Sequence, residues 1–328
     1  MKYSVYLFII AICFGCKHPA VQREVKLYTI EQLYNNKAIS GAGFNADESQ
    51  VLVSANNTGI YNIYAIAVTD TAMKPLTHSV KDSYFAVDYV PGTNNFLYSA
   101  DQGGNENYHI YLQKQGSTTV KDITPWLNST NNVAGWSDDK KYIYISSNKR
   151  NPKFFDIYKL DTASWAPTMF YQNDEGYQPG QISHSERYIT LTKPVTTNKN
   201  ELYVCDLQTK TLKRLSNDHN ASWNPQAFDR NDAALYYTTN DGNEFTYLVK
   251  YDLSKGSASK VYSTKWDVSG MDLSFHQKYH AIYINEDGKT KMLMFDHATG
   301  KQIDFPEIKD GEIESAVFSL SEKNVCLV

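Results

Sequence analysis

Short apolar runs alternate with polar turns along most of this chain, and the alternation is periodic. One phrase returns at intervals of roughly 43–47 residues, a spacing typical of propeller blades. The phrase is an aromatic or apolar residue, a polar turn, a short β-run, a Gly/Asn turn and a run with a central Tyr. The polar turn appears as Phe44-Asn45-Ala46-Asp47, Tyr89-Val90-Pro91-Gly92, Trp136-Ser137-Asp138-Asp139 and Ile182-Ser183-His184-Ser185. It returns as Phe228-Asp229-Arg230-Asn231, Phe275-His276-Gln277-Lys278 and Phe318-Ser319-Leu320-Ser321. These are seven starts, and Val328 falls inside the seventh unit.

Within each unit the apolar runs are short and rich in β-branched and aromatic residues, which fit a pleated, half-buried surface. Runs such as Val51-Leu52-Val53, Phe96-Leu97-Tyr98 and Tyr142-Ile143-Tyr144-Ile145 follow the polar turn. Turns such as Asn57-Thr58-Gly59, Gly103-Gly104-Asn105 and Asp241-Gly242-Asn243 come next. Gly and Asn tolerate the positive φ that tight hairpins need. A third run carries Ile63-Tyr64, Ile110-Tyr111, Ile157-Tyr158 or Leu202-Tyr203, and a fourth ends at Leu76-Thr77, Ile123-Thr124 or Leu215-Ser216. Four short antiparallel strands in one period predict a propeller blade. The predicted class is therefore all-β, a seven-bladed-type β-propeller over 39–328 with its last blade incomplete. The seventh unit supplies only its first strand and part of its second, so the ring is expected to stay open. Open strand edges predict aggregation or self-association.

The N-terminus has a different pattern. Met1-Lys2 is a short positive region, and Val5 to Phe14 is an apolar stretch too short to span a bilayer. It ends at Gly15-Cys16, a small residue before Cys, which looks like a bacterial lipoprotein signal with Cys16 as the lipidated residue. Plain secretion and an uncleaved anchor are the other readings. Residues 1–16 are thus expected to be a signal peptide, and 17–38 a leader with one helical turn near Ile30-Glu31-Gln32-Leu33-Tyr34. A lipid tether places the domain in the bacterial envelope, periplasmic or outer-membrane-anchored, without spanning the bilayer.

Composition adds little and excludes one class. A formal net charge of −4 in 328 residues, with no basic stripe, argues against nucleic acid as a partner. Beyond the signal, Cys205 and Cys326 lie in β-runs of different units and read as small buried hydrophobes.

With these residues in view, the repeats resemble two groups of propellers. One is the TolB-like periplasmic propeller. The other is the N-terminal propeller of the prolyl oligopeptidase family, including acylaminoacyl and dipeptidyl peptidases. The stretch Asp101-Gln102-Gly103-Gly104-Asn105-Glu106-Asn107-Tyr108-His109-Ile110-Tyr111 resembles acylaminoacyl-peptidase-type members most specifically. That family implies an α/β-hydrolase domain carrying a Ser nucleophile, with the propeller limiting which peptides reach it. This sequence contains no G-x-S-x-G elbow. Gly135-Trp136-Ser137-Asp138-Asp139 lacks the second Gly and sits at a blade turn, so no catalytic residue carries over.

The candidate binding residues are Asp101, Asn105 and Glu106, echoed by Asn240-Asp241-Gly242-Asn243-Glu244. Such carboxylates suit a substrate amine or a cation at one rim, while their recurrence in two blades favours solvated hairpin turns chosen for backbone geometry. No metal or cofactor is expected. His276 and His280 are four apart but not on a helix, and no loop has calcium spacing. Trp136, Trp223 and Trp266 read as packing between blades, with a stacking platform as the alternative. The functional expectation is the non-catalytic propeller portion of a prolyl-oligopeptidase-like serine peptidase, gating and orienting peptide substrates for a hydrolase domain. The alternative is a stand-alone TolB-like binding or scaffold propeller.

Overall fold

The computed structural model describes residues 25–41, 43–305, 308, 312–313 and 315–328. The expected signal peptide and Cys16 lie outside the described residues. Among the described residues, 25–37 belong to a unit separate from 38–328. In the former, Ile30–Tyr34 is a five-residue helix with a capping box between Thr29 and Gln32. Among the described residues no helix is long and apolar enough to cross a membrane.

Residues 38–328 form six four-stranded antiparallel sheets, each in simple sequential order. Blade 1 spans 39–75, blade 2 85–122 and blade 3 131–171. Blade 4 spans 178–214, blade 5 223–262 and blade 6 267–303. The expected blade count needs correcting: six blades are four-stranded, not seven. The seventh unit is a two-stranded hairpin, Ala316–Phe318 with Val325–Leu327. Its outer strand has no further partner strand among the described residues.

Burial follows the strand pattern. The central strands are nearly continuous apolar runs, as in Gln50–Ala55 and Ala234–Thr239, because both faces of each blade pack on neighbours. The fourth strands are mostly exposed. The Leu-Thr closings have a defined task. Thr77 Oγ1 accepts the Ile63 N–H at 2.9 Å, Thr124 Oγ1 that of Ile110 at 2.8 Å, and Ser216 Oγ that of Leu202 at 3.1 Å. A buried strand end is thereby satisfied where the ladder runs out. Cys205 and Cys326 are half-buried and unpaired.

The turns between first and second strands repeat closely. A polar residue at the first position accepts a backbone N–H five residues on: Asn45 from Gln50, Ser137 from Tyr142, Ser183 from Tyr188, Ser274 from Tyr279 and Ser319 from Asn324. The fourth position adopts a left-handed conformation at Glu48, Lys140, Glu186, Asp232, Gln277 and Glu322, with φ between 53° and 62°. A type I turn closed by such a residue suits a short hairpin connection. None of these residues is glycine, so each bears a steric cost. Most of them offset it by reaching the turn of the preceding blade. Asp232 accepts the His184 N–H at 3.0 Å and also binds Ser185 Oγ. Gln277 accepts the Arg230 N–H at 2.8 Å, and Glu322 the His276 N–H at 2.7 Å.

Glu48 makes the same contact across the ring's seam. It accepts the Ser321 N–H at 2.7 Å and the Ser321 hydroxyl at 2.6 Å, and Asn324 Nδ2 donates to it at 3.3 Å. Cys326 packs on the apolar cluster of Val51, Val53 and Tyr64 in blade 1. On the hairpin's other side, Ala316, Phe318, Val325 and Leu327 pack with Tyr283 and Met294 of blade 6. The expectation of an open ring is therefore corrected: the two-stranded hairpin bridges blade 6 to blade 1. Contact between blades runs from the first to third strands of one to the first strand of the next, and the hairpin supplies a first strand with its turn.

Burial works to raise the Glu48 carboxyl, and the hydrogen bonds from Ser321 outweigh it, leaving the group below its ordinary value. The contribution is present above the unfolded value near pH 4 and is lost as pH falls through the lower folded one. Glu48→Ala is expected to cost about 1–2 kcal/mol, the scale of hydrogen bonds to a charged group. Thermal melts at pH 7 check this, with the loss shrinking at pH 3. An unchanged melting temperature would contradict it.

Candidate functional site

The antiparallel order of each blade puts the first-to-second turns at one end of the ring. The second-to-third hairpins, and the linkers between blades, lie at the other. Asp101, Asn105 and Glu106 sit at the latter end, on the loop between Asn95–Ala100 and His109–Lys114. Asp101 Oδ2 accepts the Glu106 N–H at 3.0 Å, and Asn105 Oδ1 the Asn107 N–H at 3.0 Å. Glu106 has a φ of 60°. The loop is pinned on both flanks: the Gly103 N–H donates to Asp82 Oδ1 at 2.9 Å, and Thr130 Oγ1 to the Glu106 carbonyl at 2.8 Å. Two of the three side chains thus serve the loop's own backbone, and the Glu106 carboxylate stands on an exposed tip. The echo in blade 5 is tied differently. Asp241 accepts from Asn217 Nδ2 at 2.6 Å and faces His219 Nδ1 at 2.6 Å.

The opposite end carries a cluster that reading each unit separately misses. The second turn position supplies most of its side chains. Around the ring it holds Ala46, Pro91, Asp138, His184, Arg230, Phe275 and Leu320. Asp138 Oδ1 lies 3.0 Å from His184 Nδ1, and Arg230 Nη2 donates to Asp138 Oδ2 at 3.0 Å. Arg230 Nη1 donates to the Phe275 carbonyl at 2.7 Å. The Phe275 ring is held between two cations, Lys140 Nζ at 4.0 Å and the Arg230 guanidinium at 4.8 Å from its centroid. Side chains of blades 3, 4, 5 and 6 thereby cross the axis at this end. Phe275 occupies this place because the sixth turn begins at Ser274, two residues earlier than its sequence suggests. The aromatic that opens that unit's phrase is therefore inside the turn, and Leu273 takes the strand-end position.

Beneath this crossing lies a buried carboxylate. Asp88 Oδ2 accepts Trp136 Nε1 at 2.8 Å, and Oδ1 accepts the Tyr89 N–H at 2.8 Å. A Cβ on Gly43 of blade 1 would collide with Asp88 Oδ1, so only glycine leaves this carboxylate its place. Burial pushes the Asp88 carboxyl up to about 6, against the pull of the Trp136 and Tyr89 hydrogen bonds and of Lys140. Lys140 is itself lowered by burial, with Asp88 and Asp138 acting the other way. Asp272 holds the equivalent position in blade 6. It accepts the Tyr283 hydroxyl at 2.7 Å, and that hydroxyl accepts the Ala316 N–H at 2.9 Å. This chain joins blade 6 to the closing hairpin, and burial raises the Asp272 carboxyl too.

The remaining candidates separate. The Ser137 hydroxyl donates to Asp139 Oδ1 at 2.7 Å and accepts the Tyr142 N–H, as a turn residue does. His276 lies in the sixth turn, whereas His280 lies in the next strand with its Nδ1 3.2 Å from that of His297. Burial, then His297, pushes His280 down to about 4. Among the described residues no group of three or more His, Cys, Asp or Glu is placed to hold a metal ion. Trp136, Trp223 and Trp266 each join an apolar cluster.

The Asp88 environment has a pH signature. The folded chain binds this proton more tightly than the unfolded chain, where the value is near 4. Ionised Asp88 therefore costs stability that is absent below about pH 4 and complete above about pH 6. Asp88→Asn is expected to gain on the wild type by on the order of 1–3 kcal/mol between pH 4 and pH 7. Denaturant titrations at the two pH values check this. A difference between the two proteins that does not change with pH would contradict it.

Comparison with known proteins agrees with this architecture. The family described as the prolyl oligopeptidase N-terminal beta-propeller domain matches residues 73–324, more than half of the chain. Dipeptidyl aminopeptidase BIII of Pseudoxanthomonas mexicana is 25% identical over 268 residues, covering 75% of this chain and 36% of that protein. The chain thus spans about a third of that relative's length. Among solved structures, one from a study of two prolyl endopeptidases superposes with a TM-score of 0.61 at 10% identity, over 90% of this chain and 50% of that one. TolB from Acinetobacter baumannii gives 0.51 at 17% identity, over 88% and 73%. These two likenesses show the propeller fold. By the family match over 73–324, this chain belongs to the prolyl oligopeptidase N-terminal β-propeller family.

Proposed function

We propose that this chain is the non-catalytic propeller portion of a prolyl-oligopeptidase-like serine peptidase, gating and orienting peptides for an α/β-hydrolase domain outside this sequence. The family match over 73–324 carries the reading. The sequence supplies no nucleophile elbow, so chemistry would come from a second domain. The side chains crossing the axis at Asp138, Arg230, Lys140 and Phe275 support a gating role, since an extended chain threading that end would have to part them. Asp101, Asn105 and Glu106 are proposed as a substrate contact at the other rim. Cys16 is proposed as the lipidated residue, holding the protein in the bacterial envelope.

A second reading, a stand-alone binding propeller, draws support from the Glu48–Ser321 contact, which closes the ring within these residues. Purification of the native polypeptide from its source separates the two. The peptidase reading expects a protein well above 37.3 kDa. A fluorophosphonate should label it at serine, and it should cleave peptide anilides. A native mass at or below 37.3 kDa with no serine labelling would sink that reading. In the labelled protein, Lys140→Ala with Arg230→Ala is expected to raise kcat/KM severalfold for long peptides and little for a dipeptide anilide. Equal effects on both would contradict the gate.

A further inference from the structure

The outer parts of blades 1 and 2 enclose a groove of about 640 Å³, away from both ends of the ring axis. Its volume is that of a small-molecule site. One wall is the end of blade 1, from Lys74 to Ser79. The other is the inward face of blade 2, where Tyr84 stacks on Tyr98 at 4.7 Å and Tyr98 on Tyr111 at 5.3 Å. The Tyr84 and Tyr98 rings line the groove.

Two largely buried side chains present polar groups to the groove. Tyr98 is 3% exposed, with its ring held between Tyr84 and Tyr111. Gln113 is 7% exposed. Its amide nitrogen donates to the Ser117 carbonyl at 2.6 Å, and its amide oxygen has no partner among the described residues. Both line the groove. A few polar groups at the wall of a cavity are what orient a bound ligand.

The repeat sharpens the point, because every blade supplies a control. Gln113 pairs with Phe96, one residue past the start of the second strand. The matching positions of blades 1, 3, 4, 5 and 6 hold Ile66, Leu160, Cys205, Tyr251 and Phe295. None is an amide. The fold does not ask for glutamine at this place, and a local break from a fold's own rule marks function more often than architecture.

The lining chemistry narrows the ligand. Gln113 and Gln115 offer planar amides, Thr118 and Tyr98 hydroxyls, and Tyr84 an aromatic ring. No carboxylate lines the groove, and Lys74 is the one Lys or Arg among its described lining residues. A peptide terminus or a charged metabolite would want an opposite charge, which is missing for amines and single for anions. Alternating hydroxyls and C–H faces fit amides and aromatic rings without any net charge. We infer that the groove between blades 1 and 2 is a binding site for a short neutral oligosaccharide, read by the Gln113 amide and the Tyr98 hydroxyl and packed on Tyr84.

The test uses the full chain and named probes: maltotriose, cellotriose, xylotriose and N,N′-diacetylchitobiose. Saturation-transfer NMR and calorimetry would be run up to about 10 mM, beyond the millimolar range of weak small ligands. At least one sugar is expected to bind, and Gln113→Leu and Tyr84→Ala are each expected to weaken it tenfold or more. Gln113→Leu puts in blade 2 what Leu160 is in blade 3, so its fold should hold, and thermal melting checks that. Glu106→Ala, on the distant rim, is expected to leave sugar binding unchanged. No binding by any of the four sugars would overturn the proposal. So would binding indifferent to both groove substitutions, or displacement of the sugar by an uncharged proline-rich peptide at lower concentration.

Discussion

Contact between neighbouring turns is the constraint on which the rest of this ring depends. Blades share no strand, so nothing in sheet hydrogen bonding joins one to the next. Apolar packing between their faces is strong but non-directional. At four seams direction comes from the fourth turn residue, whose left-handed backbone brings its side chain against the turn of the blade before it. Asp232, Gln277, Glu322 and Glu48 all accept backbone N–H groups in this way. The device needs only a first-to-second turn. A hairpin that ends at the second strand can therefore occupy the seventh place and still be held on both sides.

This explains where the structure is regular and where it is free to vary. The first turn position must accept a backbone N–H, so it holds Ser or Asn in five of the turns. The second position carries no such duty, and it varies from Ala46 to Arg230 to Phe275. At the axis that freedom assembles the Asp138–Arg230 pair and the cation-flanked Phe275 ring. Farther out, the third strands keep an apolar residue at the place where blade 2 has Gln113. Departures from the repeat, rather than the repeat itself, mark the places where this propeller differs from a generic one.

Much of this was legible in the sequence, for a physical reason. Blade strands are local, antiparallel and joined by short turns, so the four-strand unit and the Ile-Tyr third strands show in the residue pattern alone. The role of Thr77 and Thr124 as strand closers also lies within one unit. The ring's closure does not, because Glu48 and Ser321 are 273 residues apart and nothing near either one announces the other. Counting seven turn phrases led to a seven-bladed ring, although the last phrase supplies only two strands. The sixth turn was misplaced because Phe275 mimics the aromatic before the turn, while Leu273 holds that position. Asp88 beside Gly43 was invisible for a similar reason: the pair spans two blades. For Asp101 and Asn105, the hairpin chemistry apparent in the sequence is what the hydrogen bonds show, and Glu106 alone keeps a carboxylate without a partner among the described residues.

The most direct test of the closed ring is native-state hydrogen exchange at the amides of 315–328, compared with the central strands of blade 6. If the Glu48 contact and the packing of Cys326 on blade 1 lock the hairpin into the ring, its hydrogen-bonded amides should exchange only with global unfolding. Their opening free energy should then match that of Tyr279–Glu286. Exchange of the hairpin amides orders of magnitude faster than those of blade 6 would contradict the account. The seventh unit would then be a frayed end rather than the bridge that closes the propeller.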